Sequence, residues 1–486
     1  MDFKTPEQAG ISSRNVLKFY KTLDSYNLST HSIILSRGNS FFSECYYAPF
    51  HKDFKHRMYS TSKSFVAIAV GFCLQEGLLS MDDPISKFFP ERDCNGHAST
   101  IKDFLGMRSS MEHGGPWFNK GYPDRALAYF DNEAVKYPGT LFAYDSSASF
   151  ILGAIVERVT GKPFLKYMQE KFLDATGFSK DAYCLTCPGG HSWGDSGILC
   201  TTRDLWRFAR FVLNYGTWDG KRYLNEEFIK DATTPQAPNS NFGFRDLHST
   251  EGYGYQFWCA DRGCFATKGM GNQISFCDPA HDFVFVITSD NQGNHGIAYH
   301  MIYRALYDYI IDNLGDPLPE DPEAKAELDA YLATRKLFFL DGNTESPMAQ
   351  KVSGKVFTCQ ENPTGIQWFR LDFNGSEGTF TYENATGEKV MPFGFGHNVF
   401  EKFPEEGYSD LVGSTPCPGN KYDAAFSADW PIEDTLRIRV QIIDKYFANL
   451  AILLGFQDEN HVTVRMEKAA EHFMNEYKGT FTATAE

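Results

Sequence analysis

Long uncharged apolar runs are missing from this chain of 486 residues. No window approaches the roughly 18 apolar residues that a membrane-spanning helix needs. The N-terminal stretch MDFKTPEQAGISSRN also lacks the basic region followed by an apolar run that marks a secretion signal. We therefore expect no membrane partner, and we expect the eleven scattered cysteines to be reduced thiols of a cytoplasmic protein.

An excess of positive charge is missing as well. Lysine and arginine number 46 against 62 aspartates and glutamates, which gives a net charge of −16. Nucleic acids attract basic surfaces, so we expect no nucleic-acid partner. The Cys-x-x-Cys pair Cys184 and Cys187 has no second pair or His-x-x-x-His beside it, and no glycine fingerprint opens a helix. The sequence therefore predicts no metal and no cofactor.

Residues 1–314 mix helix and strand patterns. Alternating strand patterns such as HSIILSRG and FVFVITSD stand near the two ends of this segment, and long amphipathic helix patterns stand between them. Strands supplied from both ends of a segment pair readily in one antiparallel sheet. We predict an α/β (α+β) domain in which an antiparallel sheet is flanked by helices and joined to an all-helical subdomain.

Beyond residue 314 the pattern changes twice. The segment GDPLPEDPEAKAELDAYL is rich in proline and acidic residues, which indicates a linker with a polar helix over residues 315–350. Residues 351–486 alternate with a period of two, with glycine, asparagine and proline between the alternating stretches. This pattern predicts a C-terminal all-β domain, either a barrel or a sandwich.

The segment YSTSKSFVAIAV places polar groups at the mouth of an apolar helix. Ser60 and Lys63 are three residues apart, so their side chains share one helix face. A serine hydroxyl becomes an effective nucleophile when a neighbour takes its proton, and a desolvated lysine amine is one such neighbour. The helix N-terminus also favours negative charge that develops there. The spacing predicts a nucleophilic serine, with a simple helix cap as the alternative.

Two later segments extend this pattern. Tyr144 and Ser146 form a Tyr-x-Ser pair directly before an amphipathic helix, and FATKGMGNQISF supplies a strand, a glycine-dense turn and another strand. In this order, Ser-x-x-Lys, Tyr-x-Ser and a late glycine-bearing strand resemble the serine β-lactamase and penicillin-binding-protein superfamily, in its class C-type and esterase branch. Intervening segments such as TIKDFLGMRSSM and GDSGILCTTRDLWRF are similar to the same framework, which covers about residues 6 to 312.

The resemblance implies a role for each of these residues. Ser60 would be the acylated nucleophile, Lys63 its proton partner, and Tyr144 the general base and acid in the two half-reactions. Ser146 stands where the superfamily usually has asparagine, and it would contact the substrate with a shorter side chain that donates one hydrogen bond. Backbone N–H groups of Ser60 and Met270 would form the oxyanion hole. The C-terminal domain would be similar to the lipocalin-like domain of several members.

The third motif departs from the superfamily by one position. The usual Lys-Thr-Gly is replaced by Thr267, Lys268 and Gly269, which with Met270 would border the substrate. Side chains alternate across a strand, so the shift predicts that Lys268 turns to the face opposite the cleft, unless a β-bulge restores it. Thr267 then offers the substrate a hydroxyl without charge. We therefore expect weak or no activity on β-lactams, which carry a carboxylate.

These observations favour a serine hydrolase or acyltransferase that forms an acyl-enzyme on Ser60 with a small ester or amide. A D-amino-acid-directed peptidase or a β-lactamase is the alternative within the same chemistry. A catalytically silent receptor that binds a small molecule is the alternative from another class, although silent relatives normally lack the serine or the lysine. A homo-oligomer is compatible with the sequence.

Overall fold

The structure, a computed structural model, describes residues 2–92, 98–111, 123–240, 251–408, 417–471 and 473–486. The chain divides into two compact units, of which the first runs to Lys336 and the second begins at Leu337. This division falls inside the segment 315–350 for which the sequence predicts a linker. Each cysteine of the described ranges carries a free thiol. Among the helices of these ranges, none combines the length and the apolar character that a bilayer span requires.

The helices of the first unit alternate with short irregular segments. In chain order they are α1 (Ser13–Ser25), α2 (Ser62–Gln75), α3 (Ile101–Leu105), α4 (Arg125–Ala128), α5 (Ser146–Thr160), α6 (Phe164–Met168), α7 (Asp174–Thr176), α8 (Thr202–Leu213), α9 (Glu226–Ala232), α10 (His295–Tyr309) and α11 (Pro322–Leu332). Among the described residues between α2 and α7 there is no strand, and these helices form the all-helical part of the unit.

The strands of the first unit lie mainly near its two ends. In chain order they are β1 (Asp2–Phe3), β2 (Thr30–Arg37), β3 (Ser40–Tyr46), β4 (His56–Arg57), β5 (Tyr183–Cys184), β6 (Ile198–Cys200), β7 (Thr217–Trp218), β8 (Lys221–Arg222), β9 (Gly252–Tyr253), β10 (Trp258–Cys259), β11 (Phe265–Gly269), β12 (Gln273–Asp278) and β13 (Phe283–Ser289). Strand β4 pairs with β6 in a small separate sheet.

One large sheet joins strands from both ends of the unit. Its order is β1-β3-β2-β13-β12-β11-β10-β9. Strands β2 and β13, which are far apart in sequence, pair antiparallel at its centre, whereas β1 lies parallel to β3 at one edge. The predicted α+β class and its antiparallel sheet with flanking helices are confirmed.

Helices cover both faces of this sheet. On one face α1 and α10 contribute to the main apolar core, where the rings of Phe19 and Phe285 lie 5.9 Å apart. On the other face Trp206 of α8 donates from Nε1 to Oγ of Ser36 at 2.6 Å. Side chains at successive positions of a strand point to opposite faces, and the burial of Leu35 among the α1 and α10 residues fits this alternation.

Helix α2 is buried from its first residue to Cys73. Its Phe65 ring stacks on Phe208 of α8 at 3.7 Å. A Cβ on Gly153 of α5 would lie only 3.6 Å from Cγ2 of Val66. A helix that is apolar on all sides is held by burial of its whole surface, at about 1.5–3 kcal/mol for each large side chain. This packing fixes the N-terminal end of α2, where Ser60 and Lys63 stand.

The second unit is a closed barrel preceded by α12 (Pro347–Val352). Its strands are β14 (Val356–Cys359), β15 (Trp368–Asn374), β16 (Glu377–Asn384), β17 (Gly387–Phe395), β18 (Val399–Lys402), β19 (Asp423–Ile432), β20 (Thr435–Ile443), β21 (Phe447–Phe456), β22 (His461–Ala469) and β23 (Gly479–Thr484). Strand β17 closes the ring by pairing with β19, and β18 pairs with β19 outside it. Of the two predicted forms, barrel and sandwich, the structure has the barrel.

Two histidines form a buried pair near the chain that leads to Ser60. Nδ1 of His31 lies 2.8 Å from Nε2 of His56, and Nδ1 of His56 lies 2.8 Å from the carbonyl oxygen of Arg57. Because a carbonyl only accepts, His56 donates to it, and His31 then donates to His56. Burial lowers the pKa of His31 well below its usual value and that of His56 to about 3. Both rings are therefore neutral at pH 7.

Acidification is expected to destabilise the first unit as the pH falls from about 6.5 toward 3. Unfolded histidine takes up a proton below about pH 6.5 whereas the buried pair does not, so the unfolded state binds more protons. Between pH 7 and pH 5 each histidine should remove about 2 kcal/mol of unfolding free energy. The measurement is urea denaturation at both pH values for the wild type and for the double variant His31→Asn, His56→Gln.

The double variant should lose about 4 kcal/mol less than the wild type over this pH range, by the same linkage. His461→Gln serves as the matched control because the imidazole of His461 is 56% exposed. A double variant that is as acid-sensitive as the wild type would show that the pair does not set this pH dependence.

Candidate active site

Ser60 lies in a short turn of 3-10 helix, Tyr59–Thr61, directly before α2. Tyr59 has a φ of +47°, a left-handed backbone that bulky residues adopt at a cost of about 1–2 kcal/mol. Oγ1 of Thr61 donates to the carbonyl oxygen of Gln273 in β12 at 3.3 Å. The serine is thus held on a strained turn between the helix and the edge of the large sheet, and its side chain is half-buried.

Lys63 is the central contact of the site. Its Nζ donates to Oγ of Ser60 at 2.9 Å and to the carbonyl oxygen of Asp195 at 2.8 Å. Oδ2 of Asp195 lies 3.9 Å from the same nitrogen, and the lysine side chain is only 1% exposed. The three-residue spacing therefore places the serine hydroxyl and the amine in direct contact.

Tyr144 completes this group from the loop before α5. Nζ of Lys63 lies 5.2 Å from the centroid of the Tyr144 ring. The same ring stacks on Trp258 of β10, with centroids 5.6 Å apart and planes inclined by 26°. Asp145 caps α5 by accepting from the N–H of Ser147 at 2.9 Å, and this cap fixes the backbone next to Tyr144. Ser146 is the first residue of α5.

Strand β11 and the turn after it lie beside the serine. A Cβ on Gly269 would lie 2.3 Å from the carbonyl oxygen of Met58, so only glycine permits this approach of the strand to the backbone before Ser60. Thr267 pairs with Ser275 of β12, and their hydroxyl oxygens are 2.8 Å apart. Met270 follows the strand, and its carbonyl oxygen accepts from Nε2 of Gln273 at 2.9 Å.

Lys268 lies on the face of β11 opposite to Thr267. The pairing of β11 with β12 runs in unbroken register from Phe265 to Gly269, without a bulge. Nζ of Lys268 lies over the aromatic rings of Trp258, Tyr299 and Tyr303, at 5.2, 5.1 and 4.9 Å from their centroids. Two of these rings belong to α10, and the third, Trp258, also stacks on Tyr144, so one aromatic ring separates the ammonium from the group around Lys63.

Asp195 is a site residue that the sequence motifs do not reveal. It belongs to the GDSG segment, which lies in a loop before β6. The N-cap of α8 is Thr201 and not the serine of this segment. The contact with Lys63 bridges 132 positions of the chain. The only sign of this residue in the sequence is an aspartate in a short loop flanked by glycines. That sign points to the site only once the fold places the loop beside α2.

This arrangement can perform acyl transfer. A serine hydroxyl in contact with a buried amine can lose its proton as it attacks a carbonyl, and a nearby phenol can exchange protons with the amine. The described residues contain no group of three or more histidine, cysteine, aspartate or glutamate side chains able to hold a metal ion.

Comparison with known proteins identifies the same framework. Residues 21–307 match the Beta-lactamase family. The 6-aminohexanoate-dimer hydrolase of Paenarthrobacter ureafaciens is 25% identical over 296 residues, which cover 55% of this chain and 76% of that protein.

Solved structures share the fold at low sequence identity. The structure of SurE with D-Leu aligns over 96% of this chain and 99% of that one, with a TM-score of 0.51 at 15% identity. A candidate beta-lactamase from Bacteroides dorei aligns over 60% of this chain and 96% of that one, with a TM-score of 0.50 at 19% identity. The family match spans more than half of the chain and includes every residue from Ser60 to Met270 described above, so this chain belongs to the beta-lactamase family of serine hydrolases.

Proposed function

We propose that this protein hydrolyses a small ester or amide, or transfers its acyl group, through an acyl-enzyme on Ser60. The observation that supports this proposal most strongly is the 2.9 Å contact between Nζ of Lys63 and Oγ of Ser60 at a helix N-terminus. Burying the amine beside the hydroxyl removes it from water, which gives no gain in solvation. Acyl transfer, by contrast, requires a nucleophile and a proton acceptor in contact. The name of the Paenarthrobacter relative, a 6-aminohexanoate-dimer hydrolase, also supports a small substrate.

In the proposed reaction the proton of Ser60 passes to the unit formed by Lys63 and Tyr144 while Oγ attacks the substrate carbonyl carbon. The backbone N–H groups of Ser60 and Met270 stabilise the negative oxygen of the tetrahedral intermediate. Tyr144 returns a proton to the leaving group, and the acyl group stays on Ser60 as an ester. Water or another acceptor then attacks the carbonyl carbon of this ester and loses a proton to the same unit, which returns a proton to Oγ of Ser60 as the acyl group leaves. Ser146 and Thr267 contact the substrate in this scheme.

Release of p-nitrophenol from p-nitrophenyl butyrate tests the proposal. We expect a burst equal to the enzyme concentration, followed by slower steady turnover, because acylation by this activated ester should be faster than deacylation. Ser60→Ala should abolish the burst. Ser62→Ala is the matched control, since Oγ of Ser62 accepts from the N–H of Ile198 and contacts another part of the fold. A wild-type protein that binds the ester without releasing p-nitrophenol would favour the silent receptor.

We also expect turnover of nitrocefin to be weak. Lys268 lies on the face of β11 opposite to Thr267, with its Nζ over the rings of Tyr299 and Tyr303, so we expect its ammonium not to meet the carboxylate of a β-lactam. A missing charge-assisted contact costs about 2–3 kcal/mol, so kcat/KM for nitrocefin should be ~10²-fold lower than with that contact, and we expect it to lie below the value for p-nitrophenyl butyrate. Lys268→Met, which keeps the length of the side chain, should leave the nitrocefin value nearly unchanged. Efficient nitrocefin turnover that collapses in Lys268→Met would make the β-lactamase alternative the better one.

The location of the protein in the cell is a further part of the proposed function. Free thiols are stable in the reducing cytoplasm, and the described cysteines are free. We propose a cytoplasmic location on this basis.

A further inference from the structure

The loop of residues 193–197 brings a buried carboxylate to Lys63. Nζ of Lys63 donates to the backbone carbonyl of Asp195 at 2.8 Å, and Oδ2 of the same residue lies 3.9 Å away. The two side chains are 1% and 3% exposed. Any residue at position 195 could offer this backbone carbonyl to Lys63. The aspartate side chain adds a negative charge that the hydrogen bond itself does not require.

This loop is held rigidly. The guanidinium of Arg57 lies between the rings of Tyr59 and Trp193, 4.1 and 4.2 Å from their centroids. It also donates from Nε to the carbonyl oxygen of Ser196 at 3.1 Å and from Nη2 to its Oγ at 3.2 Å. Arg57 thus ties the residue before Ser60 to the residue after Asp195 in one packed unit.

The loop packs closely against α2 and α5. A Cβ on Gly194 would lie 3.0 Å from Cγ2 of Val66 and 3.7 Å from Cα of Gly153. A Cβ on Gly197 would lie 2.7 Å from Cβ of Trp193. Gly194 therefore allows the backbone to approach the helix that carries Lys63, and Gly197 allows the loop to fold back on Trp193.

We propose that Asp195 is a positioning residue, whose carboxylate fixes the amine of Lys63 against Ser60 and sets the pH range in which the pair reacts. This inference rests on the proposed function of Ser60 and Lys63. An opposite charge within about 4–6 Å favours the protonated state of an amine, and little water is present here to screen it. Asp195 acts through Lys63 and touches no substrate atom.

Other charged or titratable groups surround the pair and enter the design of the test. Burial keeps two neighbouring thiols neutral, since the pKa of Cys184 is well above its usual value and that of Cys187 is raised to about 12. Among the described residues, the other charged or titratable groups on the adjoining elements include Arg57, Arg125, Tyr144, and Glu157 with its partner His191. These groups are the same in the wild type and in the variants below, so a difference between the profiles reports the carboxylate.

Asp195→Asn tests the charge at constant size. The rate of Ser60 labelling by a fluorophosphonate is measured from pH 5 to pH 10 for the wild type and the variant. Removing a negative charge disfavours every protonated group nearby, so both limbs of the profile should move to lower pH. Asp278→Asn is the control, because Asp278 is 2% exposed but lies at the far end of β12, about 17 Å along the strand from Gln273. Its profile should not move.

Unfolding gives a second readout that does not depend on the reactivity of the variant. Asp195→Asn should lower the melting temperature in the native background and raise it in a Lys63→Met background, where the carboxylate has lost its cation. The role of Asp195 would be overturned if both limbs of the pH profile of labelling stayed within about 0.3 pH units of the wild type. It would also be overturned if the melting temperature fell equally in both backgrounds. A wild-type protein that is not labelled at Ser60 would instead refute the proposed function itself.

Discussion

Lys63→Ala is expected to lower kcat for p-nitrophenyl butyrate by at least ~10²-fold, and Tyr144→Phe by a similar factor. The amine is 2.9 Å from Oγ of Ser60 and 5.2 Å from the centroid of the Tyr144 ring, and the proposed reaction has the two residues handle the same proton. Groups that act as a unit give losses that do not multiply, and the double variant should therefore be only slightly slower than either single variant.

The control for this cycle is Lys162→Ala, since the side chain of Lys162 is 46% exposed and pairs with Glu170 at the surface. It should keep full activity. Losses in the double variant equal to the product of the single losses would mean that Lys63 and Tyr144 act independently, and the proposed proton path would then be wrong.

Gly269→Ala is the second change with a large expected effect. The new methyl group would lie 2.3 Å from the carbonyl oxygen of Met58, and backbone atoms cannot rotate away as a side chain does. Either β11 or the turn that carries Tyr59 and Ser60 must shift. A displacement of about 1 Å in a reacting group costs on the order of 10²-fold in rate, so we expect kcat/KM for p-nitrophenyl butyrate to fall by that factor.

Gly315→Ala is the matched control for this prediction. No heavy atom lies within 4 Å of a Cβ at that position, and its backbone does not require glycine. Circular dichroism and melting curves of both variants show whether the fold persists. A folded Gly269→Ala protein with wild-type activity would show that the contact of β11 with Met58 does not position Ser60.

The framework of the molecule follows from local patterns in the sequence. The apolar run after Ser62 predicts a buried helix, and the structure has α2 from Ser62 to Gln75. The contact of Ser60 with Lys63 follows from the same helical spacing, because three residues make almost one turn. The alternating pattern after residue 351 likewise predicts the β-domain. These features depend on neighbours in sequence, which periodicity reports directly.

Features that depend on distant pairing could not be predicted in this way. Asp195 reaches Lys63 from 132 positions away, and only the packing of its loop against α2 brings the two together. The aromatic surroundings of Lys268 come partly from α10, more than 30 positions later. The choice of barrel over sandwich rests on the parallel pairing of β17 with β19, whereas both forms have strands of the same period.

The central claim is that Ser60 is the nucleophile, and covalent labelling tests it most directly. The protein is treated with a fluorophosphonate and digested, and the modified residue is located by mass spectrometry. We predict one adduct per chain, on Ser60, and no adduct in Lys63→Ala at the same exposure. An adduct on Ser62 or Ser196 with Ser60 unmodified would contradict the account.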